Sequence, residues 1–349
     1  MVEQKKARTT MQAKELEKEH SKDNTSQADV LKHVNELANS NSTNPPEITG
    51  EYLLNFKADK MATLVDPFIP KAGVVCLAGG SDTGKSCLLR QLAIEIVTGN
   101  DSFLGFQLNT IYQNCIFVAT EDDPHATSFL LSKQAAEHEA STLKNLRFIF
   151  ETEDLLEQLN QKLEDVPSDL IVIDCFADAY PGDLKDSQKI RTFLHQYQQL
   201  ALQHECLIIF LHHTAKRTEN FEPSKNNLLS GQGFESKMRM VMELRVDLLN
   251  PNTRHLCIVK GNYLPSSFKR ESFVLDFDES NFTFNNTGQR TPFEFLVKQH
   301  EDSGKAKYEE AKALVDLGYN YQVIAIKLGY QSKGSVSKLF DKAEKNGWK

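Results

Sequence analysis

The stretch GGSDTGKS at residues 79–86 constrains the fold more than any other feature of the chain. It has the spacing G-x-x-x-x-G-K-S of a loop that wraps phosphates, and it lies between an apolar run and an amphipathic helical pattern. Glycines let backbone N–H groups turn onto phosphate oxygens, and a helix N-terminus adds a positive dipole end. We therefore expect ATP and Mg²⁺ to be bound by Gly79, Gly80, Ser81, Asp82, Thr83, Gly84, Lys85 and Ser86.

Within this loop, the side chains of two residues have distinct expected roles. Lys85 is expected to reach the β- and γ-phosphates, and the Ser86 hydroxyl is expected to ligate magnesium. Asp82 places an acid beside the phosphates, which is tolerable where the side chain points away from them.

Short apolar runs alternate with amphipathic segments from about residue 50 to 290. Four runs have the length and the polar flanks of buried strands: residues 73–80, 114–122, 169–175 and 206–213. Helical periodicity occupies residues 85–97 and 186–204. This alternation predicts an α/β domain with a mostly parallel sheet covered on both faces. Four further strand patterns after Leu229 are expected to add antiparallel strands at one edge of the sheet.

Acidic residues and histidines follow three of the predicted strands. Asp174 ends the run LIVID and is expected to supply a second magnesium contact. Glu121 in FVATED could take a proton from an attacking water, or it could cap the helix after Pro124. His213 ends FLHH and could sense the γ-phosphate, or His212 and His213 could both lack a role. A His-His pair followed by threonine lacks the ligand spacing of a zinc site.

Composition restricts the function classes further. The 349-residue chain has a formal net charge of −8, so any contact with DNA must be local. We expect a soluble, cytoplasmic protein, because the sequence has neither an apolar run of about 18 residues nor an apolar signal core. Six cysteines form no C-x-x-C pair, and we expect them to be small core residues rather than metal ligands or disulfide partners.

Five motifs, in this order and spacing, resemble those of a known family: AGGSDTGKS, FLGF, CIFVATEDD, LIVIDCFAD and FLHHTAKR. The family is the RepA group of RecA-like hexameric replicative helicases, which are related more distantly to DnaB and KaiC. The resemblance covers about residues 60–265. It implies a RecA-like P-loop core that hydrolyses ATP in a homo-oligomeric, hexameric ring and moves on single-stranded DNA.

Matched motif by motif, the resemblance implies roles for individual residues. Lys85 and Ser86 would bind phosphate and magnesium, Glu121 would be the catalytic glutamate, and Asp174 would be the aspartate on the magnesium side. His213 would be the sensor of the nucleotide.

The resemblance also implies two basic residues that act on the nucleotide of a neighbouring subunit. Arg239 in SGQGFESKMRMVMELR stands in the place of the family's arginine finger. Lys260 in IVKGNY resembles the second basic finger. The chain departs from the family in having SGQG at residues 230–233, where many relatives have Arg-Gly-Ser-Ser.

Residues 303–349 lie outside this resemblance and have the pattern of three short helices. The sequence VIAIKLGYQSKGSVSKLF resembles a helix-turn-helix, with a glycine turn before a helix that opens in polar residues. Nine lysines and five acidic residues give this segment a net charge of +4, whereas the rest of the chain sums to −12. We expect lysines to contact DNA phosphates and Gln or Ser to contact base edges, through Gln331, Ser332, Lys333, Ser335 and Lys338.

A small helical domain for oligomerisation, or a lid, is the alternative interpretation of residues 303–349.

The predicted organisation is a polar tail over 1–48, an ATPase core over 49–290, a connector over 291–302 and a helical domain over 303–349. Three functions fit it. The first is a ring-forming replicative helicase of a plasmid, phage or mobile element. The others are an ATP-switched DNA-binding regulator or loader without unwinding activity, and a KaiC-like signalling ATPase.

Overall fold

The computed structural model describes residues 49–55, 60–298, 303–330, 332–345 and 347–348. The chain divides into two compact units. The first comprises the residues up to Lys216 together with Pro223–Phe293, and the second comprises Arg217–Glu222 together with Glu294–Lys349. The predicted polar tail, residues 1–48, lies outside the described residues.

The first unit is built on a nine-stranded sheet. Its strands and four shorter ones are, in chain order, β1 Thr63–Val65, β2 Ile69–Pro70, β3 Gly73–Gly79, β4 Ser102–Phe103, β5 Phe106–Gln107, β6 Cys115–Ala119, β7 Leu146–Ile149, β8 Leu170–Asp174, β9 Leu207–His213, β10 Met240–Val246, β11 Thr253–Gly261, β12 Glu271–Asp278 and β13 Thr283–Pro292. The order across the sheet is β13-β12-β11-β10-β3-β9-β8-β6-β7. The six strands from β10 to β7 run parallel, and β11, β12 and β13 are antiparallel additions. The predicted α/β fold is thereby confirmed.

The helices separate onto the two faces of this sheet and into the second unit. They are, in chain order, α1 Gly50–Asn55, α2 Lys85–Val97, α3 Pro124–Gln134, α4 Leu155–Asp165, α5 Phe176–Ala179, α6 Ser187–Gln203, α7 Gly231–Glu235, α8 Ser303–Asp316, α9 Tyr321–Lys327 and α10 Lys333–Lys345. Helix α2 buries its apolar face in one core with the β3 side chains Val75 and Leu77. Helices α4 and α6 pack on the opposite face, against the intervening side chains Val74 and Cys76. The central strands are therefore buried on both faces, which explains their unbroken apolar runs.

The direction of β10 differs from the sequence prediction. We expected all four strands after Leu229 to be antiparallel, and this is wrong for β10. It pairs in parallel with β3, from Met240 opposite Val75 to Leu244 opposite Gly79. The connection over residues 214–239 returns the chain to the amino end of the sheet, and parallel pairing requires such a connection of about a dozen residues or more.

The second unit consists mainly of the three C-terminal helices around a core of its own. The buried side chains are Tyr308, Ala311, Ile324, Ala325, Val336, Leu339 and Ala343. Gly318 and Gly329, with φ of 86° and 71°, follow the first two helices in the left-handed conformation that ends helices. The unit also includes the loop Arg217–Glu222, where the Glu219 carbonyl oxygen accepts a 2.7 Å hydrogen bond from the backbone N of Lys298. No helix in the described part of the chain is long and apolar enough to cross a membrane.

Candidate nucleotide-binding site

The phosphate loop joins the end of β3 to the start of α2, as predicted. A Cβ atom on Gly79 would lie 2.5 Å from the Leu244 carbonyl oxygen, so only glycine fits beside β10. Gly84 has φ of 89° and begins α2 in the left-handed conformation. Asp82 also has a positive φ, 58°, and its side chain is exposed. Two residues with a left-handed backbone conformation, Asp82 and Gly84, thus shape the loop, although Asp82 is not a glycine.

Lys85 begins α2, and its side chain lies within the phosphate loop. Lys85 is buried, and its Nζ donates a 2.7 Å hydrogen bond to the carbonyl oxygen of Gly80. Burial lowers the pKa of Lys85, while the nearby carboxylates of Asp174 and Glu121 act in the opposite direction. The ammonium group therefore lies inside the loop, where phosphate oxygens could replace the Gly80 carbonyl as its partner.

Asp174 ends β8 beside the start of α2. Its side chain is 5% exposed and shares a hydrogen bond with the Ser86 hydroxyl. Burial raises the pKa of Asp174 to about 6, partly opposed by the Ser86 hydrogen bond, with Glu121 raising it further and Lys85 lowering it. A hydroxyl and a buried carboxylate in contact are oxygen ligands of the kind Mg²⁺ prefers, so the residues present fit this ion.

Glu121 and His213 lie together at the carboxyl ends of β6 and β9. His213 Nε2 is 3.4 Å from Glu121 Oε1, and both side chains are partly exposed. Glu121 is not the cap of α3. That position belongs to Asp123, whose side chain accepts a 2.7 Å hydrogen bond from the backbone N of Ala126. Glu121 therefore has no capping role, and its half-exposed carboxylate contacts His213 at the carboxyl end of β6.

The two adjacent histidines have different surroundings. His212 is fully buried, its Nε2 lies 2.9 Å from Ser230 Oγ, and burial lowers its pKa to about 3. It is therefore a neutral core residue. His213 is at the end of the strand, and the next residue, Thr214, donates a backbone hydrogen bond of 3.3 Å to the Gly79 carbonyl oxygen. The end of β9 is thus joined directly to the start of the phosphate loop.

Sequence reasoning missed Cys175, which follows Asp174. Its Sγ and ligand atoms of Glu121 and His213 all lie within 4.8 Å of one another. Burial raises the pKa of the Cys175 thiol to about 12, so the thiol is protonated at neutral pH and is no nucleophile. The Thr120 hydroxyl accepts a 2.9 Å hydrogen bond from the backbone N of Cys175, which fixes this position.

Sequence reasoning also missed Arg90, a charged residue within the buried face of α2. Arg90 is 1% exposed, and its Nη1 donates a 3.1 Å hydrogen bond to Gln134 Oε1. Its Nη2 lies 3.6 Å from the Asp122 carboxylate, next to Glu121 in the chain. Arg90 therefore connects the phosphate-loop helix with the segment that presents Glu121.

Arg239 and Lys260 lie at the other end of the sheet from the phosphate loop. The backbone N of Arg239 donates to the Val74 carbonyl oxygen at 2.9 Å, near the start of β3. Gly79 is five residues further along β3, about 16 Å away at the usual rise of a strand. Lys260 pairs with Val241 on the adjacent strand, and its Nζ donates to the Glu235 carbonyl oxygen at 2.7 Å. The Arg239 side chain donates to the Ala72 carbonyl oxygen and the Lys260 side chain to that of Glu235, so neither is bonded to the phosphate loop of its own subunit.

The residues predicted to contact DNA belong to the second unit and are remote in sequence from this site. Helix α10 begins at Lys333, and the side chains of Ser332, Lys333 and Lys338 are exposed. Ser335 is half-buried, and Gln331 lies outside the described residues. The exposed residues thus occupy the start and the outer face of the third helix of the unit.

Comparisons with known proteins agree with this geometry. The family described as the AAA domain matches residues 51–219, which contain the phosphate loop, Glu121, Asp174 and His213. A similar solved structure is the ATPase domain of another protein, with a TM-score of 0.52 and 13% sequence identity. That match covers 68% of this chain and 95% of the solved ATPase domain. A search of curated proteins finds no match. Residues 51–219 are therefore an AAA-type P-loop ATPase domain.

Proposed function

We propose that this protein is a ring-forming, ATP-driven DNA motor, and that it unwinds DNA as a replicative helicase of a plasmid, phage or mobile element. The proposal combines the ATPase domain with three features that lie outside its phosphate loop. These are the sensor position of His213, the remote basic pair Arg239 and Lys260, and the basic helical unit at the C-terminus.

Within one subunit, each residue at the carboxyl edge of the sheet has a distinct task. Lys85 pairs with the β- and γ-phosphate oxygens, and Ser86 and Asp174 hold Mg²⁺, which neutralises phosphate charge when bound. Glu121 accepts the proton of the attacking water. His213, 3.4 Å from Glu121, responds to whether the γ-phosphate is present and passes that information along β9.

The observation that supports a ring is the position of Arg239 and Lys260. About 16 Å of strand separates Arg239 from the phosphate loop of its own subunit, a distance that no arginine side chain spans, and the Lys260 side chain is bonded to Glu235 instead of that loop. A neighbouring subunit, repeated around a closed ring, would present its phosphate loop to them. Each site would then be completed by two subunits, which makes hydrolysis dependent on assembly.

DNA would be bound in two ways. The ring would hold single-stranded DNA, and the helical unit with its net charge of +4 over residues 303–349 would hold duplex DNA through phosphate contacts. Exposed Lys333 and Lys338 at the third helix of that unit are the groups best placed for this role.

The experiment that tests the proposal measures mass and strand displacement together. The molecular mass in solution is determined by light scattering with and without ATP and single-stranded DNA, and displacement of a labelled strand is followed with ATP. We expect a ring in the presence of ATP and displacement that Lys85→Ala abolishes. A protein that stays monomeric under all these conditions would refute the proposal.

A second candidate function is an ATP-switched DNA-binding regulator or loader. The observation in its favour is that the helical unit has its own hydrophobic core and a helix-turn-helix pattern, which are features of sequence-specific regulators. Duplex binding that depends on ATP, in a protein that displaces no strand, would favour this function over a helicase.

A further inference from the structure

Three side chains beside the proposed catalytic base form a group with the chemistry of a metal site. Glu121, Cys175 and His213 offer a carboxylate oxygen, a thiol sulfur and an imidazole nitrogen, all within 4.8 Å of one another. We propose that these residues form an inhibitory site for Zn²⁺ or another thiophilic divalent cation, separate from the oxygen ligands Ser86 and Asp174. Occupancy of the site would block ATP hydrolysis.

The distances among the three ligand atoms support this assignment. In a tetrahedral zinc site, bonds of about 2.0–2.1 Å to nitrogen or oxygen and about 2.3 Å to sulfur place neighbouring ligand atoms about 3.3–3.6 Å apart. His213 Nε2 and Glu121 Oε1 are already 3.4 Å apart. The sulfur lies at most about 1.5 Å beyond these separations, and rotation of the partly exposed Glu121 and His213 side chains supplies a movement of that size.

The types of ligand select against the magnesium that ATP requires. Mg²⁺ and Ca²⁺ take oxygen ligands, whereas a sulfur and an imidazole together favour zinc and its neighbours among the transition metals. Three protein ligands leave a fourth position, which the partial exposure of Glu121 and His213 opens to water.

The neighbours of Cys175 bear on the proton that its thiol must release to a metal. In the metal-free protein the thiol donates to Asp178 Oδ2 at 3.6 Å, and the Thr120 hydroxyl donates to the same carboxylate oxygen at 2.7 Å. Metal binding would displace the thiol proton, which this carboxylate is placed to pass to solvent. The backbone N of Cys175 is also held by Thr120, at 2.9 Å.

Inhibition follows from the identity of the ligands and rests on the proposed function. A carboxylate bound to Zn²⁺ cannot accept the proton of the attacking water, and a coordinated His213 cannot respond to the γ-phosphate. Metal binding itself does not depend on that function, because it requires only the three side chains.

The test measures binding and inhibition separately on the full-length protein. Co²⁺ is added without nucleotide, and the thiolate-to-cobalt absorption band is recorded before and after Zn²⁺ displaces the cobalt. ATP hydrolysis with excess Mg²⁺ is then measured over a Zn²⁺ series, followed by a zinc-selective chelator. For the wild type we expect the cobalt band, and inhibition that the chelator reverses.

The variants are Cys175→Ser, which keeps a hydrogen-bond donor, Cys175→Ala, and the control Cys206→Ser at a buried thiol near the start of β9. Cys175→Ser should lose the cobalt band, and its half-inhibiting Zn²⁺ concentration, measured relative to the variant's own zinc-free rate, should rise by about tenfold or more, because a hydroxyl is a far weaker zinc ligand than a thiolate. Cys175→Ala should also lose the band, and Cys206→Ser should behave as wild type.

Two results would overturn the inference: a wild-type protein without the cobalt band, or Cys175 variants with unchanged zinc sensitivity. If Glu121→Gln hydrolyses ATP at the wild-type rate, the proposed base is wrong, while the cobalt band, recorded without nucleotide, still decides whether the metal site exists.

Discussion

Replacing Asp174 by asparagine should stabilise the nucleotide-free protein at neutral pH and abolish ATP hydrolysis. The carboxyl group is 5% exposed, and burial raises its pKa to about 6 from an ordinary 3.8. At neutral pH the folded protein therefore holds a buried negative charge whose ionisation is unfavourable. An amide of nearly the same shape keeps the contact with Ser86 and removes this cost.

The magnitude follows from the difference between the two pKa values. At about 1.4 kcal/mol per pKa unit, this difference corresponds to a cost of about 3 kcal/mol for ionised Asp174. That cost is the largest increase in the free energy of unfolding expected for Asp174→Asn. Well below pH 4, Asp174 is protonated in both the folded and the unfolded state and costs nothing. As the pH rises from 4 to 6, the unfolded chain ionises first, so wild-type stability falls, and above about pH 6 the loss is complete.

The assay is chemical denaturation followed by circular dichroism, without nucleotide or Mg²⁺, at about pH 4.5 and pH 7.5. The gain of Asp174→Asn over wild type should be small at the lower pH and near its maximum at the higher one. The control is Asp169→Asn, near the other end of β8. The Asp169 carboxylate is fully buried, but it pairs with Lys71 Nζ at 2.8 Å and accepts three backbone hydrogen bonds.

Because Asp169 has partners, its replacement should destabilise the protein by about 3 kcal/mol or more. At neutral pH, Asp174→Asn should thus raise the free energy of unfolding, whereas Asp169→Asn, near the other end of β8, should lower it. If Asp174→Asn is less stable than wild type at pH 7.5, or if its gain does not change with pH, the reasoning about the buried carboxylate fails.

Three other predictions concern activity. Lys85→Ala should lose affinity for ATP, whereas Glu121→Gln should bind ATP normally and hydrolyse it at least ~10²-fold more slowly, as measured by nucleotide binding and turnover. Arg239→Ala should bind ATP but lose about 10³-fold in turnover, and mixing it with Lys85→Ala protein should restore part of the activity; no restoration in proven mixed oligomers would argue against shared sites. Lys333→Glu combined with Lys338→Glu should abolish salt-dependent duplex binding and leave basal hydrolysis intact; wild-type binding that ignores salt would exclude a DNA-reading role.

The phosphate loop and the acids around it could be predicted because the chemistry is local in sequence. The loop motif specifies its flanking strand and helix, and Asp174 and Glu121 each follow an apolar run directly. Parallel strands bring their carboxyl ends to one edge of a sheet, so residues at those ends meet whatever their separation in the chain.

The features that were missed depend on contacts between segments that are distant in the sequence, and no local pattern indicates those contacts. Cys175 stands 54 residues after Glu121 and 38 before His213, so no ligand spacing is visible, and a cysteine after an apolar run looks like any core thiol. Arg90 interrupts the apolar face of α2, but its partner Asp122 becomes visible only when the helix packs against the segment after β6. The parallel direction of β10 was missed for a related reason, since an apolar run has the same composition in either direction.

Because the loop Arg217–Glu222 belongs to the helical unit, that unit is not formed by the C-terminal residues alone. The chain passes between the two compact units three times, after Lys216, after Glu222 and after Phe293, rather than once. A C-terminal unit grafted from another protein would therefore arrive without the six residues that belong with it, and a truncation before Lys298 would leave the Glu219 carbonyl oxygen without its donor. Exchange of this unit between proteins, by recombination or by design, thus requires exchanging the loop after β9 at the same time.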